Sequence, residues 1–338
     1  MRSVRHVIGQ HVKRVFYQTR LQALLRRLQP SRYPVILRYH SVSKDNGLVS
    51  KSITVSPEAF EEQIQYFSKH FNTISMSTLV DCIQDRCHFP ENALILTFDD
   101  GYADNYEAAQ ILHKYRLTGL FYITAGCIES TEKFWVAEIR HLLEKTGHRR
   151  ICIPVQDSMC AFSLSGPLER EEAIRQITRL IKSGNIQARE NIREELWKQL
   201  DDAHEFPGNL MLTWQKLKDM IDMEMEIGGH TMTHCNLPNA NPEEAWIEIS
   251  TCKSLLEKKL DIEVKHFAYP NGGSVQHYND DIKKLVYQAG FFSASTSKSG
   301  LVSFGSDLME LWRMRATENL FEILWEIEGA FIKKEGLI

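Results

Sequence analysis

An α/β fold built on a parallel sheet, interrupted by one helical insertion and preceded by a helical arm, is predicted by three observations. From Tyr33 onward, short apolar runs rich in β-formers alternate with segments of helical periodicity, the signature of βα units. Between the third and fourth runs, residues 129–223 are dense in charge and helical in pattern around 169–200. Ahead of them all lies a basic amphipathic stretch. At 338 residues, 43% hydrophobic and 25% charged, the chain has the length of one α/β barrel with insertions and the composition of a folded globular protein, which argues against disorder. No uninterrupted apolar run reaches the roughly 18 residues of a membrane-spanning helix.

The arm, residues 1–32, carries six arginines, one lysine and no acid before Ser31, in a chain whose net charge is -4. Val4, Ile8, Val12 and Phe16 recur every four residues, and Leu21, Leu24, Leu25 and Leu28 continue the stripe, so the arm predicts an amphipathic helix. It lacks the compact apolar region and small-residue cleavage site of a secretory signal. Two uses stay open: a helix lying on an anionic membrane surface, or a docking helix with its basic side in water. The seven cysteines, Cys82, Cys87, Cys127, Cys152, Cys160, Cys235 and Cys252, are odd in number, scattered and without CxxC pairing. That argues against a disulfide framework or a cysteine zinc site and for a reducing compartment. The expected location is the cytoplasm, with the inner membrane face within reach of the arm.

Residues 33–338 read as one elaborated domain. Candidate strands are 35–39, 93–98, 119–124, 225–228, 265–269, 291–296 and 311–316. The first intervening helix starts clearly: Ser56 offers an N-cap, Pro57 the first helical position, and Phe60, Ile64, Phe67 and Phe71 share one face. Asn241 and Pro242 repeat that start before 246–260, and a helix over 280–289 stops at Gly290. No solenoid period and no low-complexity tract occurs.

Chemistry collects at the ends of these strands. In LILTFDDGY, Asp99 and Asp100 would ordinarily point to opposite faces, but Gly101 lets the backbone turn so that both carboxylates face one pocket. Two bare carboxylates there repel, so the pair asks for a cation or for one protonated member. Plain turn-forming aspartates are the alternative. EIGGHTMTHCNL supplies His230 and His234, which at a spacing of four lie on one face of a helical turn and can grip one divalent ion. Two imidazoles and one carboxylate make a ligand set with open positions for water, leaving the other aspartate free. HFAYPNGG ends a further strand in a loop able to present backbone N–H groups to a developing oxyanion. VILRYHSVS places His40 at the end of the first strand. In a βα barrel the active face lies at the carboxyl ends of the strands, and all four segments sit there.

TFDDGY, HTMTH and AYPNG in this order resemble the polysaccharide deacetylase family, metal-dependent carbohydrate esterases that remove acetyl groups from sugars on a distorted (β/α)7 barrel. RYHSVS, VSPEAFEEQIQYF and the Phe134–Trp135 pair add similarity to a branch found among bacterial enzymes of surface-polysaccharide assembly. The resemblance spans roughly 34–317 and is weak over the insertion. It implies that Asp100, His230 and His234 hold a divalent metal, most simply zinc, with cobalt or nickel as alternatives, and that Asp99 is the general base. It also implies that Tyr102 and the Pro270, Asn271 and Gly272 segment line the acetyl pocket and support the oxyanion. The family's base-orienting arginine is replaced here by Ala268, which leaves Arg38, Arg313 and Arg315 as substitutes, and no histidine follows His277. In relatives that open with a YH strand and look circularly permuted, the N-terminal histidine supplies the acid, so the resemblance makes His40 the acid.

The implied reaction is hydrolysis of an acetyl group from an N-acetylated sugar of a bacterial polysaccharide or glycoconjugate, with no nucleic-acid partner. A non-catalytic carbohydrate-binding relative is the competing class, although a binding module needs no second carboxylate. A two-carboxylate glycosidase fits poorly, because its carboxyls must flank the bond about 5 to 9.5 Å apart.

Overall fold

The central strands are buried at almost every position, so their pleat sorts side chains between the barrel interior and the surrounding helices rather than between core and water. The computed structural model describes residues 30–334, apart from 45–47, 156–157, 201–205, 207, 209 and 274. The predicted amphipathic helix of the arm lies outside the described residues.

Seven staves form the core of the fold: β1 (Val35–Tyr39), β5 (Ala93–Phe98), β6 (Leu120–Ile123), β9 (Glu226–Gly229), β10 (His266–Ala268), β11 (Ser293–Ser295) and β12 (Met314–Arg315). Their order in the sheet is β11-β10-β9-β6-β5-β1-β12, all pairs parallel, with the short β4 (Asn72–Thr73) added at the foot of β5, while β2 (Ser41–Val42) and β3 (Thr54–Val55) pair separately. The edges meet. Leu311 bridges Ser295 of β11, accepting from the Thr296 N–H at 2.8 Å, while Met314 and Arg315 pair with Leu37 and Arg38 of β1. One segment thus closes the ring, the distorted (β/α)7 barrel expected from the motifs.

The pleat sorts the side chains. Leu94, Leu96 and Phe98 point outward with Leu37 and Tyr39 against Phe60, Ile64 and Phe67 of α1 (Pro57–His70). The alternate positions Ile36 and Ile95 join Leu120, Tyr122 and Ala268 in a cluster with Met76, Leu79 and Val80 of α2 (Met76–Gln84), which floors the barrel. Above that floor the same inward rows continue as Arg38 and His40, and as Thr97 and Asp99. The start signals hold: Ser56 accepts from the Ala59 N–H, and Asn241 with Glu244 forms a capping box at α8 (Pro242–Leu260).

The remaining barrel helices are α3 (Asn105–Lys114), α7 (Trp214–Asp222), α9 (Asp280–Gln288) and α10 (Leu320–Lys334). Between β6 and α7 the chain leaves the barrel as α4 (Trp135–Lys145), α5 (Pro167–Ser183) and α6 (Ile186–Gln199). The expectation of a purely helical insertion needs correcting, because β7 (Arg150–Val155) and β8 (Ser158–Ser163) form an antiparallel hairpin within it. The reason is a short period-two pattern, with Ile151 and Ile153 buried and Arg150, Cys152 and Pro154 less so, that the surrounding charge obscured. Trp135, Ile139, Ile153, Phe162, Ile177 and Leu196 belong to a core of the insertion's own. No helix among the described residues is long and apolar enough to cross a membrane.

Candidate active site and metal centre

Asp99 continues the inward row of β5 into the barrel mouth. Asp100 then takes φ +81° and Gly101 φ +85°, a reversal that aspartate tolerates and glycine favours. Both carboxylates end up buried on the same side, as the Gly101 turn predicted.

Arg313, fully buried, grips Asp99 with two parallel bonds, Nη1 to Oδ1 at 2.6 Å and Nη2 to Oδ2 at 2.8 Å. Its Nε donates to the Thr296 carbonyl at 2.9 Å and Nη1 to Thr97 Oγ1 at 3.2 Å, and the guanidinium lies 5.3 Å from the Tyr122 ring centroid. This settles which arginine orients Asp99. Arg315 is exposed, and Arg38 is half-buried with an Nε that has no hydrogen-bond partner. Burial favours a neutral Asp99 carboxyl, but Arg313 with the His230 and His40 charges outweighs it and holds the group at about 2.

His230 and His234 each place Nε2 3.3 Å from Asp100 Oδ1. His230 Nδ1 donates to the Ala268 carbonyl at 2.7 Å, which fixes the tautomer and leaves Nε2 with its lone pair toward the carboxylate. The two imidazoles do not share a helical turn, as their spacing suggested. They converge through a loop in which Thr231 and His234 have φ +63° and +55°, so backbone reversals do the work of helical periodicity. Glu248 of α8 clamps that loop, accepting from the Met232 and Thr233 N–H groups at 2.8 and 2.9 Å. Phe134 meets the His234 ring edge-on at 5.3 Å, and Trp135 donates to the His234 carbonyl at 3.2 Å.

These donors fit a divalent ion. The ligand atoms of Asp100, His230 and His234 all lie within 4.8 Å of one another, and a buried set of two neutral imidazoles and one carboxylate is the chemistry of a three-ligand catalytic site. Burial lowers His234 despite Asp100, so its imidazole is neutral and able to ligate. Burial opposes the charge on Asp100, but both histidines hold it well below the usual carboxylate range.

The remaining predicted residues surround this centre. His40 Nε2 is 3.9 Å from Asp99 Oδ2, too long for a hydrogen bond but close enough to share a substrate group. Burial holds His40 at about 4, against the pull of Asp100 and Asp99. Tyr102 is buried with an unpartnered hydroxyl, and burial raises it well above its ordinary value. Tyr102 and Gly272 line a cleft of about 660 Å³ between the barrel mouth and α5. Pro270 is buried, and Asn271 takes φ +73°. Gly272, at φ +131°, could not carry a side chain, since a Cβ would fall 2.1 Å from Ser297 Oγ.

Three contributors had no signal in the sequence. Glu248 is one acid among several on its helix, Trp135 was noted only by resemblance, and Lys182 of α5 reaches the cleft from the insertion. Lys182 lines that cleft and also a smaller recess with His234 and Asn271.

A family profile described as polysaccharide deacetylase matches residues 165–293, a span that holds HTMTH and AYPNG but begins after TFDDGY. YxkH of Bacillus subtilis (strain 168), named as a polysaccharide deacetylase, is 19% identical over 86% of this chain and 74% of its own length. Two solved structures share the fold. The Streptococcus pyogenes deacetylase PplD in complex with acetate superposes with a TM-score of 0.59 at 18% identity, over 90% of this chain and 99% of that one. IcaB from Ammonifex degensii superposes with a TM-score of 0.58 at 16% identity, over 89% and 98%.

Proposed function

We propose that the chain is a polysaccharide deacetylase, a hydrolase of amide bonds, and that it removes the acetyl group from an N-acetylated sugar of a bacterial polysaccharide or glycoconjugate in a metal-dependent reaction. One observation carries this reading: the Asp99–Arg313 pair and the Asp100, His230 and His234 cluster occupy one barrel mouth.

Asp100, His230 and His234 would hold the ion. A divalent metal bound there, most simply zinc, acidifies water and polarises an acetyl carbonyl. Asp99 is ionised at neutral pH, and Arg313 fixes the direction of its lone pairs, so it takes the proton from the attacking water. Its weak basicity suits a water already made acidic. His40 enters the cycle as a neutral imidazole beside Asp99 and passes that proton to the departing nitrogen. The C–N bond breaks, leaving acetate and a free amine. Gly272 and Asn271, with Tyr102 on the facing turn, form the wall against which the acetyl group rests, and a backbone N–H there completes oxyanion stabilisation.

Acetate release from a panel of N-acetylated oligosaccharides, with metal analysis of the same preparation, tests the proposal. Release that requires a bound divalent ion supports it. Saccharide binding without release, in metal-loaded protein, would establish the binding-module alternative instead. We further place the reaction in the cytoplasm, a reading supported by seven unpaired cysteines, with the basic arm touching the inner membrane face. Fractionation of cells expressing an arm-deleted chain checks this, and unchanged membrane association would remove the arm from that role.

A further inference from the structure

The cleft beside the proposed centre has a charge out of keeping with the molecule. The whole chain carries -4, yet the cleft is lined by Arg140, Arg175, Arg179 and Lys182 against Glu171 and Glu172. Two of these cations are already answered: Arg140 pairs with Glu144 and Glu171, and Arg175 with Glu172. Arg179 and Lys182 have no hydrogen-bonded or ionic side-chain partner among the described residues. Three and four residues apart, Arg175, Arg179 and Lys182 form one stripe along α5, and Lys182 also lines the recess that holds His234.

Lys182 is half-buried at the inner end of that stripe, where an ammonium without a partner loses hydration and gains nothing in return. The helix is fixed there: Asn236 and Asn239, just beyond the metal loop, donate to the Lys182 carbonyl at 2.9 and 3.1 Å. A second unsatisfied cation stands on the barrel side. Arg38, passed over by Asp99 in favour of Arg313, keeps a buried Nε with no partner.

We infer that this cleft is a subsite for an oxyanion on the substrate, a phosphate or carboxylate carried by the glycan next to the acetylated sugar, with Lys182 and Arg179 as its principal recognition groups. The inference rests on the deacetylase reading for its substrate, but not for its charge. Neutral polysaccharide would leave these cations desolvated and unanswered, whereas an anionic neighbour converts them into charge-assisted bonds. Lys182 and Arg179 are therefore specificity residues acting on binding, and the proton transfers remain with Asp99 and His40.

The test uses the full-length, metal-loaded protein and three probes: neutral chitopentaose, 6-phosphorylated chitopentaose and a hyaluronan hexasaccharide. At low salt, kcat/KM for one anionic probe should exceed that for chitopentaose by about tenfold, mostly through KM, and the advantage should shrink as salt rises. The phosphate and uronate arms tell which oxyanion the cleft takes. In Lys182→Gln/Arg179→Gln the anionic preference should fall toward unity. Equal use of neutral and anionic probes, or a preference that survives the double substitution, overturns the inference. If no probe releases acetate, the deacetylase reading fails, and calorimetric binding of the same probes to wild type and double variant still decides the anion subsite.

Discussion

Above its floor, the barrel lines its interior with Arg38, Thr97, Asp99, His230 and Arg313, whereas the insertion fills its centre with Ile139, Ile153, Phe162, Ile177 and Leu196. The two regions spend burial differently. An apolar core such as the insertion's gains on the order of 25 cal/mol per Å² removed from water and specifies nothing chemical. Buried charges in the barrel cost desolvation and need an answer: Arg313 answers Asp99, whereas Asp100 faces two neutral imidazoles and asks for a cation between them. The difference teaches where function can reside. In the barrel it lies in the interior, and in the insertion only on the rim, where Lys182 and Arg179 face the cleft and Arg189 donates to the Thr233 carbonyl of the His230–His234 loop at 3.0 Å.

Asp99→Asn should break the barrel side of this contrast most severely. Loss of the base is expected to cost about 10²- to 10⁴-fold in kcat with metal content retained, while Asp100→Asn should lose the metal; turnover assays paired with metal analysis separate them. Normal turnover in Asp99→Asn would remove it as the base.

Arg313→Met leaves a buried carboxylate uncompensated, for an expected loss of about 3–5 kcal/mol in stability. The pH dependence has a defined sign. Asp99 is depressed to about 2 in the folded protein, so its contribution is complete above the unfolded carboxyl value near ~3.9 and disappears as pH falls toward about 2. Without Arg313 the folded carboxyl titrates higher, and the acid limb of both stability and kcat/KM should move to higher pH. An unmoved limb would mean that another group holds Asp99.

His40→Ala should lower turnover by roughly 10²-fold without releasing metal, and an unaffected rate would exclude it from proton delivery. On the insertion side, Ile177→Ala opens a cavity in a fully buried position and should cost about 2–5 kcal/mol by denaturant titration. Its kinetic signature should be a raised KM rather than a lost metal. Smallest of all, Asn241→Ala removes the capping box of α8 and should cost about 1 kcal/mol.

Much of the candidate site was legible because its signals are local. The seven strand positions follow from short apolar runs rich in β-formers, and Asp99, Asp100, His230 and His234 stand in short segments whose glycines mark strand ends. Two expectations failed for the same reason. A spacing of four fits a helical turn, but only the folded loop, held by Glu248 from another helix, shows that positive-φ residues bring the histidines together. The hairpin of β7 and β8 was hidden because its burial depends on helices on both sides of it in the chain.

What the sequence determined by itself is where the barrel strands lie along the chain and which residues make the candidate metal cluster, since both depend on residue type and near-neighbour periodicity. The choice among Arg38, Arg313 and Arg315 belonged to the tertiary structure alone. Arg313 reaches Asp99 across 214 residues of chain only because the last stave closes the ring beside the first. The same holds for Lys182, whose helix carries no periodicity that points to a cleft. Parallel strands joined by long crossovers place distant residues side by side, and no local pattern records which side chain then finds a partner and which is left without one.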